Sequence, residues 1–449
     1  MANTYLTRTQ VAGNRQIFTQ SIWFKLTNTA DQVFISSYND ANNYNCFFLE
    51  SGNQVLQVLW KKSGSTAALL NTTRKFRDPS AWYHVVLAVD TTQGTAANRI
   101  KLYVNGVQET SFSTATYPNQ NESIEVNDNN TNQRIGALNT DTFFQGVASY
   151  VAQIDGTQEL PTVFGETDAT TGEWKLKTTI TPSVAWGNNG FLVLKDGNSL
   201  TDASPNSNNF TVAGGTLTNT EDCPDNNFAT LNPLYVVNAA QMPTLTNGNT
   251  TGTSTSTGFN AGVASIAPAG SGKYYSEHKL ISGTGGWATN TYLGYNQTPS
   301  ASPTSAPHDT NFFYGVLADG GAREGATNKA GYAGTWTSGD IIQLALDLDN
   351  NRLYVGKNGL WADGSGNWDE ANINAYINLA ASPAVAGENW FMMCGDKNTS
   401  TATWGNNFGN GYFGTTAIAS EGTNASGIGK FEYDVPTGFT ALSTKGLNL

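Results

Sequence analysis

The sequence predicts an all-β protein in which two antiparallel sandwiches of the jelly-roll kind carry most of the chain. Charged residues make up only 13% of it, and the polarity comes instead from Asn, Thr, Ser and 47 Gly, which suits strands joined by turn-rich loops. Short runs repeatedly alternate apolar and polar residues with a period of two, and no window has a convincing helical period. A hairpin pattern also recurs in the two halves of the chain.

Length, charge and cysteine content narrow the class of protein further. A chain of 449 residues has room for two or three domains of roughly 100–200 residues. The formal charge of -12 disfavours nucleic acid and anionic membranes as partners. Cys46, Cys223 and Cys394 are isolated, so we expect buried thiols rather than disulfides or a metal knuckle. No signal-peptide layout and no apolar run of about 20 residues is evident, so we expect a soluble protein made in the cytosol, without membrane insertion.

The first sandwich is predicted over residues 1–153. Ile22, Phe24 and Leu26 alternate with Trp23 and Lys25, which indicates a strand with both faces partly covered. His84 lies within a similar pattern, so we expect it to be a hydrogen-bonded structural residue. Further strand-like runs, separated by turn signals at the spacing of a sandwich, lie at 32–36, 45–50, 54–60, 82–90 and 100–104.

The rest of the chain is divided where this pattern changes. Prolines interrupt short apolar pieces between residues 154 and 235, so we predict an irregular β-rich connector there. Strand-like runs resume and predict a second sandwich with a C-terminal extension over residues 236–449. The Thr- and Gly-rich tract at 247–258 is compatible with a flexible linker, a polar loop or an edge strand.

One hairpin pattern occurs in both halves. Residues 87–90 and 102–106 are echoed by residues 344–347, 353–355 and 358–359. Each copy has a strand that ends on Asp, a polar turn, and a return strand closed by Asn-Gly, which suits a tight turn with positive φ. We therefore predict the same kind of hairpin in two domains, with chance similarity as the alternative.

These residues resemble two known families. The runs at 18–26, 82–90 and 100–106 resemble the laminin-G-like, concanavalin-type jelly roll over residues 1–153. The stretches at 272–277, 336–361 and 404–409 are similar to SPRY domains over about residues 260–415. The resemblance implies two concanavalin-like antiparallel β-sandwiches joined by the connector.

The order of parts also resembles virion proteins of tailed bacteriophages, especially marine ones. Residues 164–168, 186–191, 225–234 and 436–442 carry this likeness. It implies a protein of the virion surface, with other virion proteins as partners and a homo-oligomeric state, commonly a trimer in that group. A tail fibre, receptor-binding or head-fibre protein and a capsid decoration or cement protein that binds the capsid lattice are both implied.

No catalytic arrangement is evident, and we predict a protein that is not an enzyme. Jelly-roll glycosidases carry Glu-x-Asp-x-x-Glu along one strand, because two carboxylates about 5 Å apart must flank the cleaved bond. The nearest stretches are 122–128, with Glu122 and Glu125, and 153–159, where Gln153 occupies the place of the first Glu. We expect solvated loop carboxylates in both. A glycan-cleaving enzyme that uses Glu122 and Glu125 is the alternative of another class.

Carbohydrate binding is the function that the residue types favour. Aromatic faces stack on sugar rings, while amides and carboxylates bond sugar hydroxyls. A host-surface glycan or protein is therefore the expected ligand, with protein as the alternative for the SPRY-like part. The predicted ligand-binding residues are Tyr38, Asn39, Asp40 and Trp60 in the first sandwich, and Trp287, Trp361 and Trp368 in the second.

Calcium is the one ion that the sequence brings into consideration. Loops at Asp128 and at Asp347 and Asp349 present hard oxygen ligands at close spacing, although not at the spacing of an EF-hand. Turn-forming Asx residues explain both loops without a metal. We expect no other cofactor.

Overall fold

The computed structural model describes residues 3–235, 242–254, 259–284, 291–297, 310–381, 384–397 and 401–449. Within these ranges the regular structure consists of β-strands and three single-turn 3₁₀ helices, at Ala96–Asn98, Pro161–Val163 and Gly446–Asn448. No helix in them is long and apolar enough to cross a membrane. The chain divides into two compact units, residues 1–219 with 223–225 and residues 220–222 with 226–449. The prediction of an all-β protein is confirmed.

The first unit is a sandwich of two antiparallel sheets. An eight-stranded sheet has the order β10-β6-β5-β4-β3-β11-β1-β16, and a six-stranded sheet has the order β15-β12-β2-β7-β8-β9. The strands β13 and β14 form a separate ribbon. The strands are β1 Tyr5–Thr9, β2 Ile17–Leu26, β3 Gln32–Asp40, β4 Asn43–Glu50, β5 Val55–Lys62, β6 Ser65–Thr72, β7 Trp82–Asp90, β8 Ile100–Val104, β9 Val107–Glu109, β10 Phe112–Thr116, β11 Asn132–Ile135, β12 Gly146–Asp155, β13 Gly165–Thr167, β14 Trp174–Leu176, β15 Phe191–Val193 and β16 Thr211–Gly214.

Alternate side chains of both sheets fill the space between them. Phe18 and Phe24 from the six-stranded sheet and Phe34 and Phe47 from the eight-stranded sheet belong to one buried cluster. The period of two read from the sequence is thus the period of the core.

The outer side of the six-stranded sheet is covered by the chain between residues 160 and 190. Ala88 and Ile154 pack there with Phe164. The indole N–H of Trp174 donates to Nδ1 of His84 at 2.9 Å, and Nε2 of His84 lies 2.9 Å from Oγ of Ser21. Because an indole nitrogen only donates, Nε2 of His84 carries the proton and donates to Ser21. Burial lowers the pKa of His84 to about 3, so this histidine is a neutral structural residue.

The segment predicted as a connector does not stand apart from the two units. Up to residue 219 it belongs to the first unit, where β15 pairs with β12 and β16 pairs with β1. Phe228 and Leu231 lie in the buried clusters of the second unit. Prolines interrupt the periodicity of this segment, but its irregular backbone still packs its apolar side chains against neighbouring sheets. Sequence periodicity therefore underestimated how far each sandwich extends.

The second unit also has two large sheets. One has the order β17-β18-β31-β20-β25-β26-β27-β28, with β29 beside β26 and β34 beside β20, and the other has the order β19-β30-β21-β22-β23-β24. The strands β32 and β33 form a ribbon. The strands are β17 Thr244–Thr246, β18 Thr251–Thr253, β19 Phe259–Val263, β20 Lys273–Thr284, β21 Tyr292–Asn296, β22 Phe313–Leu317, β23 Ala322–Glu324, β24 Thr327–Lys329, β25 Ile341–Asp347, β26 Arg352–Lys357, β27 Leu360–Ala362, β28 Trp368–Glu370, β29 Ile377–Asn378, β30 Phe391–Lys397, β31 Thr401–Asn407, β32 Tyr412–Phe413, β33 Thr416–Ala417 and β34 Thr440–Ala441.

The C-terminal segment of the second unit is held against the larger sheet by a buried carboxylate. Glu277 accepts hydrogen bonds from the backbone N–H groups of Glu432 and Tyr433, both at 2.8 Å. It also accepts from the hydroxyl of Tyr275 at 3.0 Å and from Nδ2 of Asn407 at 3.3 Å. Burial raises the pKa of Glu277 to about 7 despite these donors.

The repeated hairpin is present in both units. β7 pairs with β8 and β25 pairs with β26, and each Asn-Gly pair then leads into a third strand. Asn105 and Asn358 have φ values of 47° and 52°. The side-chain oxygen of Asn105 accepts from the backbone N–H of His84 at 2.8 Å, and that of Asn358 accepts from Ile341 at 2.9 Å. Each asparagine therefore fixes its turn and also binds the start of the first hairpin strand.

Candidate functional site

The eight-stranded sheet of the first unit has one side toward the core. Its outer side carries half-buried and exposed residues around Tyr38 and Tyr44, whereas Cys46, Ser36 and Arg134 on the same side are buried. Residues that lie opposite each other on neighbouring strands share a side. The register across β5, β4, β3, β11 and β1 therefore gives two rows on this outer side, which we call the open face: Lys61, Tyr44, Tyr38, Asn132 and Thr9 in the first row, and Leu59, Cys46, Ser36, Arg134 and Thr7 in the second.

Two tyrosines lie side by side in the first row. The ring centroids of Tyr38 and Tyr44 are 6.1 Å apart, and the ring planes differ by 23°. Both side chains are half-buried, so each phenol ring keeps part of its surface in solvent. Lys61 on one side and Asn132 on the other add hydrogen-bonding groups to the row. The pair forms a flat aromatic surface with a polar border.

Asn39 and Asp40 lie at the end of β3, at the rim of the open face, and both are exposed. Oδ1 of Asp40 accepts from the backbone N–H of Asn42 at 2.7 Å and from Nδ2 of Asn43 at 3.0 Å. These hydrogen bonds lower the pKa of Asp40, so a charged acceptor is fixed at the rim.

A shallow groove of about 450 Å³ continues the open face, since Thr9 and Asn132 belong to both. Its walls are almost entirely uncharged hydrogen-bonding groups. The lining residues are Thr7, Arg8, Thr9, Asn132, Ser207, Asn208, Asn209 and Thr211.

Two of the tryptophans predicted to bind ligand are core residues instead. Trp60 is 1% exposed and contacts Phe18 between the two sheets of the first unit. Trp361 is 4% exposed and packs near Tyr275 under the C-terminal segment. Both predictions were wrong, because the period of two places Trp60 on the same side as Val58, and a covering segment encloses Trp361.

The other two tryptophans have different outcomes. Trp368 is half-buried, with Nζ of Lys357 5.9 Å from its ring centroid and its indole N–H donating to the carbonyl of Thr335 at 3.3 Å. A Cβ on Gly334 would lie 2.8 Å from the Trp368 ring, so this glycine allows the indole to lie against the backbone. Trp287 lies outside the described residues.

The acidic residues near position 125 do not form a solvated loop cluster. Glu125 is 5% exposed, and burial, together with the nearby charge of Asp128, raises its pKa. Nη1 of Arg15 lies 2.9 Å from Asp128, and its Nη2 lies 3.5 Å from Glu125. Glu122 is paired separately with Lys62. The expectation of solvated carboxylates was therefore wrong for Glu125, which is enclosed behind Arg15.

Gln153 and Asp155 are also buried, contrary to that expectation. Oε1 of Gln153 accepts from Gln20 at 2.8 Å and from Gln133 at 2.6 Å, and its Nε2 donates to Asn127 at 2.8 Å. Asn127 in turn donates to Asp155 at 2.9 Å. Because Gln20 and Gln133 come from different sheets, this polar network ties the two sheets together at one end of the sandwich.

The predicted calcium loops are occupied by protein contacts. Asp128 pairs with Arg15, Asp347 lies 3.1 Å from Nζ of Lys273, and Asp349 accepts from the backbone N–H of Gly272 at 2.9 Å. In the part of the chain that the structure describes, no three His, Cys, Asp or Glu side chains converge on a point that suits a metal ion. Calcium binding stays a prediction.

Sequence reasoning missed Tyr44 and Arg134, which the fold places beside Tyr38. Tyr44 is opposite Tyr38, and the guanidinium carbon of Arg134 lies 5.5 Å from the Tyr38 ring centroid. The alternation within β4 was a usable signal for Tyr44, because Asn45 and Phe47 point inward. No local signal identifies Arg134, which lies about 90 positions further along the chain.

One comparison with known proteins bears on the fold of the first unit. Residues 2–157 match the family described as the concanavalin A-like lectin/glucanases superfamily, which confirms the predicted laminin-G-like jelly roll. Similar solved structures include the SPRY domain of human HERC1 (17% identity, 35% of this chain and 87% of that chain, TM-score 0.27) and a heptameric pentraxin from Limulus polyphemus (14%, 33% and 69%, 0.26). Domains LG4-5 of the mouse laminin α1 chain are 10% identical over 93% of this chain and 92% of that chain, with a TM-score of 0.29. No curated protein sequence matches.

Proposed function

We propose that this protein binds carbohydrate without cleaving it, and that the open face of the first unit is the binding surface. The observation that carries the proposal is the pair of half-buried tyrosines, Tyr38 and Tyr44, on a sheet face bordered by Lys61, Asn132 and Thr9. Tyrosine rings offer apolar faces for sugar C–H groups, while their hydroxyls and the bordering amide, hydroxyl and ammonium groups suit sugar hydroxyls.

The residue types on the open face support binding rather than hydrolysis. Glycoside cleavage in most families needs two carboxyl groups about 5–9.5 Å apart across the scissile bond. The two rows of the open face contain a lysine and an arginine but no carboxylate. Asp40, at the rim, is held by the turn that follows it.

We propose a virion surface as the setting, on the strength of the sequence resemblance to tailed-phage proteins alone. In that setting the ligand is a glycan of the host cell envelope. Labelling the protein on particles separates a tail attachment role from a capsid decoration role, and a location inside the capsid contradicts both.

Binding to an oligosaccharide panel, followed by titration calorimetry, tests the proposal. We expect Tyr38→Ala to weaken binding roughly tenfold, because an aromatic stacking contact contributes about 1–1.5 kcal/mol. The matched control is Tyr376→Ala in the second unit, a tyrosine that is 39% exposed and also lies against an arginine. Equal losses in the two variants, or no loss in Tyr38→Ala, contradict the assignment of the open face. Release of reducing ends from a bound oligosaccharide contradicts the absence of cleavage.

A further inference from the structure

Arg134 is a buried cation without an ionic partner. It is 8% exposed and projects from β11 between Thr7 and Ser36 of the open face. Its Nη2 donates to Oδ1 of Asn139 at 3.3 Å, a long contact. Tyr5 is a second hydrogen-bonding neighbour, and the ring centroid of Tyr38 lies 5.5 Å from the guanidinium carbon. Within the described ranges, however, Nε and Nη1 have no acceptor in good geometry. Most of its donor capacity is therefore unused.

Arg8, the neighbouring arginine on the core side, shows what a structural arginine looks like in this sheet. It is also 8% exposed, but its Nε donates to Gln133 at 2.9 Å and its Nη2 donates to the carbonyl and side-chain oxygens of Asn189 at 3.0 and 3.1 Å. Its guanidinium lies over the rings of Phe191 and Phe210. Arg8 links β1 to β11 and to the turn at Asn189, whereas Arg134 makes no comparable set of bonds.

An unpaired buried guanidinium is destabilising, because arginine stays charged and the cost of removing it from water is several kcal/mol. Burial accordingly lowers the pKa of Arg134, while Tyr5 and Tyr38 partly offset this effect. A buried guanidinium with unused donors is accounted for when a ligand supplies the missing hydrogen-bond acceptors. A planar guanidinium binds carboxylate and sulfate oxygens in a bidentate fashion.

We propose that Arg134 binds the anionic group of an acidic glycan whose sugar ring lies on Tyr38 and Tyr44. This inference rests on the proposed function and names its ligand class: a sugar that carries a carboxylate or a sulfate. The anion takes the place of the long Asn139 contact at Nη2, and displacement of Asn139 gives it access to Nη1, which is enclosed in the free protein.

The net charge of -12 does not oppose this local contact. At physiological ionic strength the Debye length is about 8 Å, so distant carboxylates are largely screened, whereas an anion in contact with a buried guanidinium is not. The two rows of the open face carry Lys61 and Arg134 as their charged residues. Asp40 adds one negative charge at the rim, so the open face and its rim together keep a net positive charge.

The probes are tetragalacturonic acid, its methyl ester and a sulfated galactose tetramer, titrated into the full chain. The methyl ester keeps the sugar skeleton and removes its charge. We expect the wild type to bind at least one acidic probe at least about tenfold more tightly than the ester, since a hydrogen bond to a charged group contributes ~1.5–3 kcal/mol. A preference for the uronate or for the sulfate identifies the source of the anion.

Arg134→Gln removes the charge and keeps most of the side-chain length. We expect this variant to lose the preference for acidic probes, to bind the ester within about twofold of wild type, and to melt at the same temperature or higher because a buried cation is gone. The matched control is Arg352→Gln, which removes an arginine that lies 4.5 Å from the ring of Tyr376 in the second unit. That control should keep the preference.

Each of the following results contradicts either the inference about Arg134 or the proposed carbohydrate binding on which it rests. An unchanged preference in Arg134→Gln, or a variant that melts earlier or fails to fold, shows that Arg134 has a structural role and overturns the inference. Wild-type binding of the ester without any preference for acid overturns the inference and leaves the proposed function standing. If the wild type binds none of these probes and no member of a broad neutral panel, the proposed function fails with it.

Discussion

We expect a substitution of Asp396 in the second unit to stabilise the protein, whereas most core substitutions destabilise it. It is fully buried and follows Met392 and Cys394 on the inward side of β30. Among the described residues neither carboxylate oxygen has a hydrogen-bond partner in good geometry. Burial raises the pKa of Asp396 to about 7, and the nearby polar groups of Ser254 and Asn260 only partly offset this.

This pKa translates into a stability that depends on pH. The folded state holds the proton more tightly than the unfolded state, whose carboxyl titrates near 3.8, so stability falls as the pH rises from about 3.8 to about 7. The rise of the pKa from 3.8 to about 7 corresponds to about 4 kcal/mol of destabilisation by the ionised carboxylate above pH 7. Asn has nearly the same shape without the charge, and its buried amide costs about 1–3 kcal/mol.

We therefore expect Asp396→Asn to raise the free energy of unfolding of the second unit by about 2 kcal/mol at pH 8. The difference should change by about 3 kcal/mol between pH 8 and pH 5, because the wild-type carboxyl becomes protonated in the folded state, so Asp396→Asn should be about 1 kcal/mol less stable than wild type at pH 5. Native-state hydrogen exchange in urea, read on β30, measures this unit separately. Asp369→Asn, at an exposed carboxylate of the same unit, should change stability by less than about 0.5 kcal/mol. A less stable Asp396→Asn at pH 8, or an equal gain at both pH values, refutes the reasoning.

Four further substitutions test the contacts that stabilise each unit internally. Glu277→Gln replaces an acceptor oxygen by a donor that faces two N–H or O–H groups, so amides in the segment at 418–442 should exchange hydrogen faster than in wild type. Asn105→Ala and Asn358→Ala each lose a side-chain hydrogen bond and put alanine, which tolerates positive φ less well than asparagine, at the turn. Each should destabilise its own unit by about 1–3 kcal/mol in urea unfolding and leave the other unit unchanged. Trp60→Ala should cost about 3–5 kcal/mol in the first unit, and a cost below about 1 kcal/mol contradicts its position in the core.

Local sequence patterns predict much of the fold. The Asn-Gly pairs indicated tight turns, and both turns have positive φ at the asparagine. The period of two identified most strands, and it also indicates that the side chain of Trp60 points into the core. Leu56, Val58 and Trp60 occupy alternate positions of β5 and all face the core, so an aromatic residue beside a lysine was not by itself evidence for a rim.

Local patterns did not predict which sheet surfaces are covered by other segments of the chain. Trp361 and Glu277 belong to a sheet whose outer side is closed by the C-terminal segment, which lies more than 70 positions away from Trp361 for much of its length. The strand pattern does not predict that a distant segment covers this side of the sheet. The same polar residues can face solvent or can find buried hydrogen-bond partners in such a segment. Glu125 and Asp155 were misjudged for the same reason: their partners come from distant segments.

The sequence by itself determined that the protein is all-β, where most strands lie, and which side chains of a strand face the same way, because these depend on residues two positions apart. The tertiary structure alone decided that β11 lies between β3 and β1. That choice brings Arg134 and Asn132 beside Tyr38 and Tyr44, and it depends on the pairing of strands about 100 residues apart or more in the chain. The binding surface proposed here is a product of sheet order and register, which are set by the packing of the whole sandwich rather than by any local run.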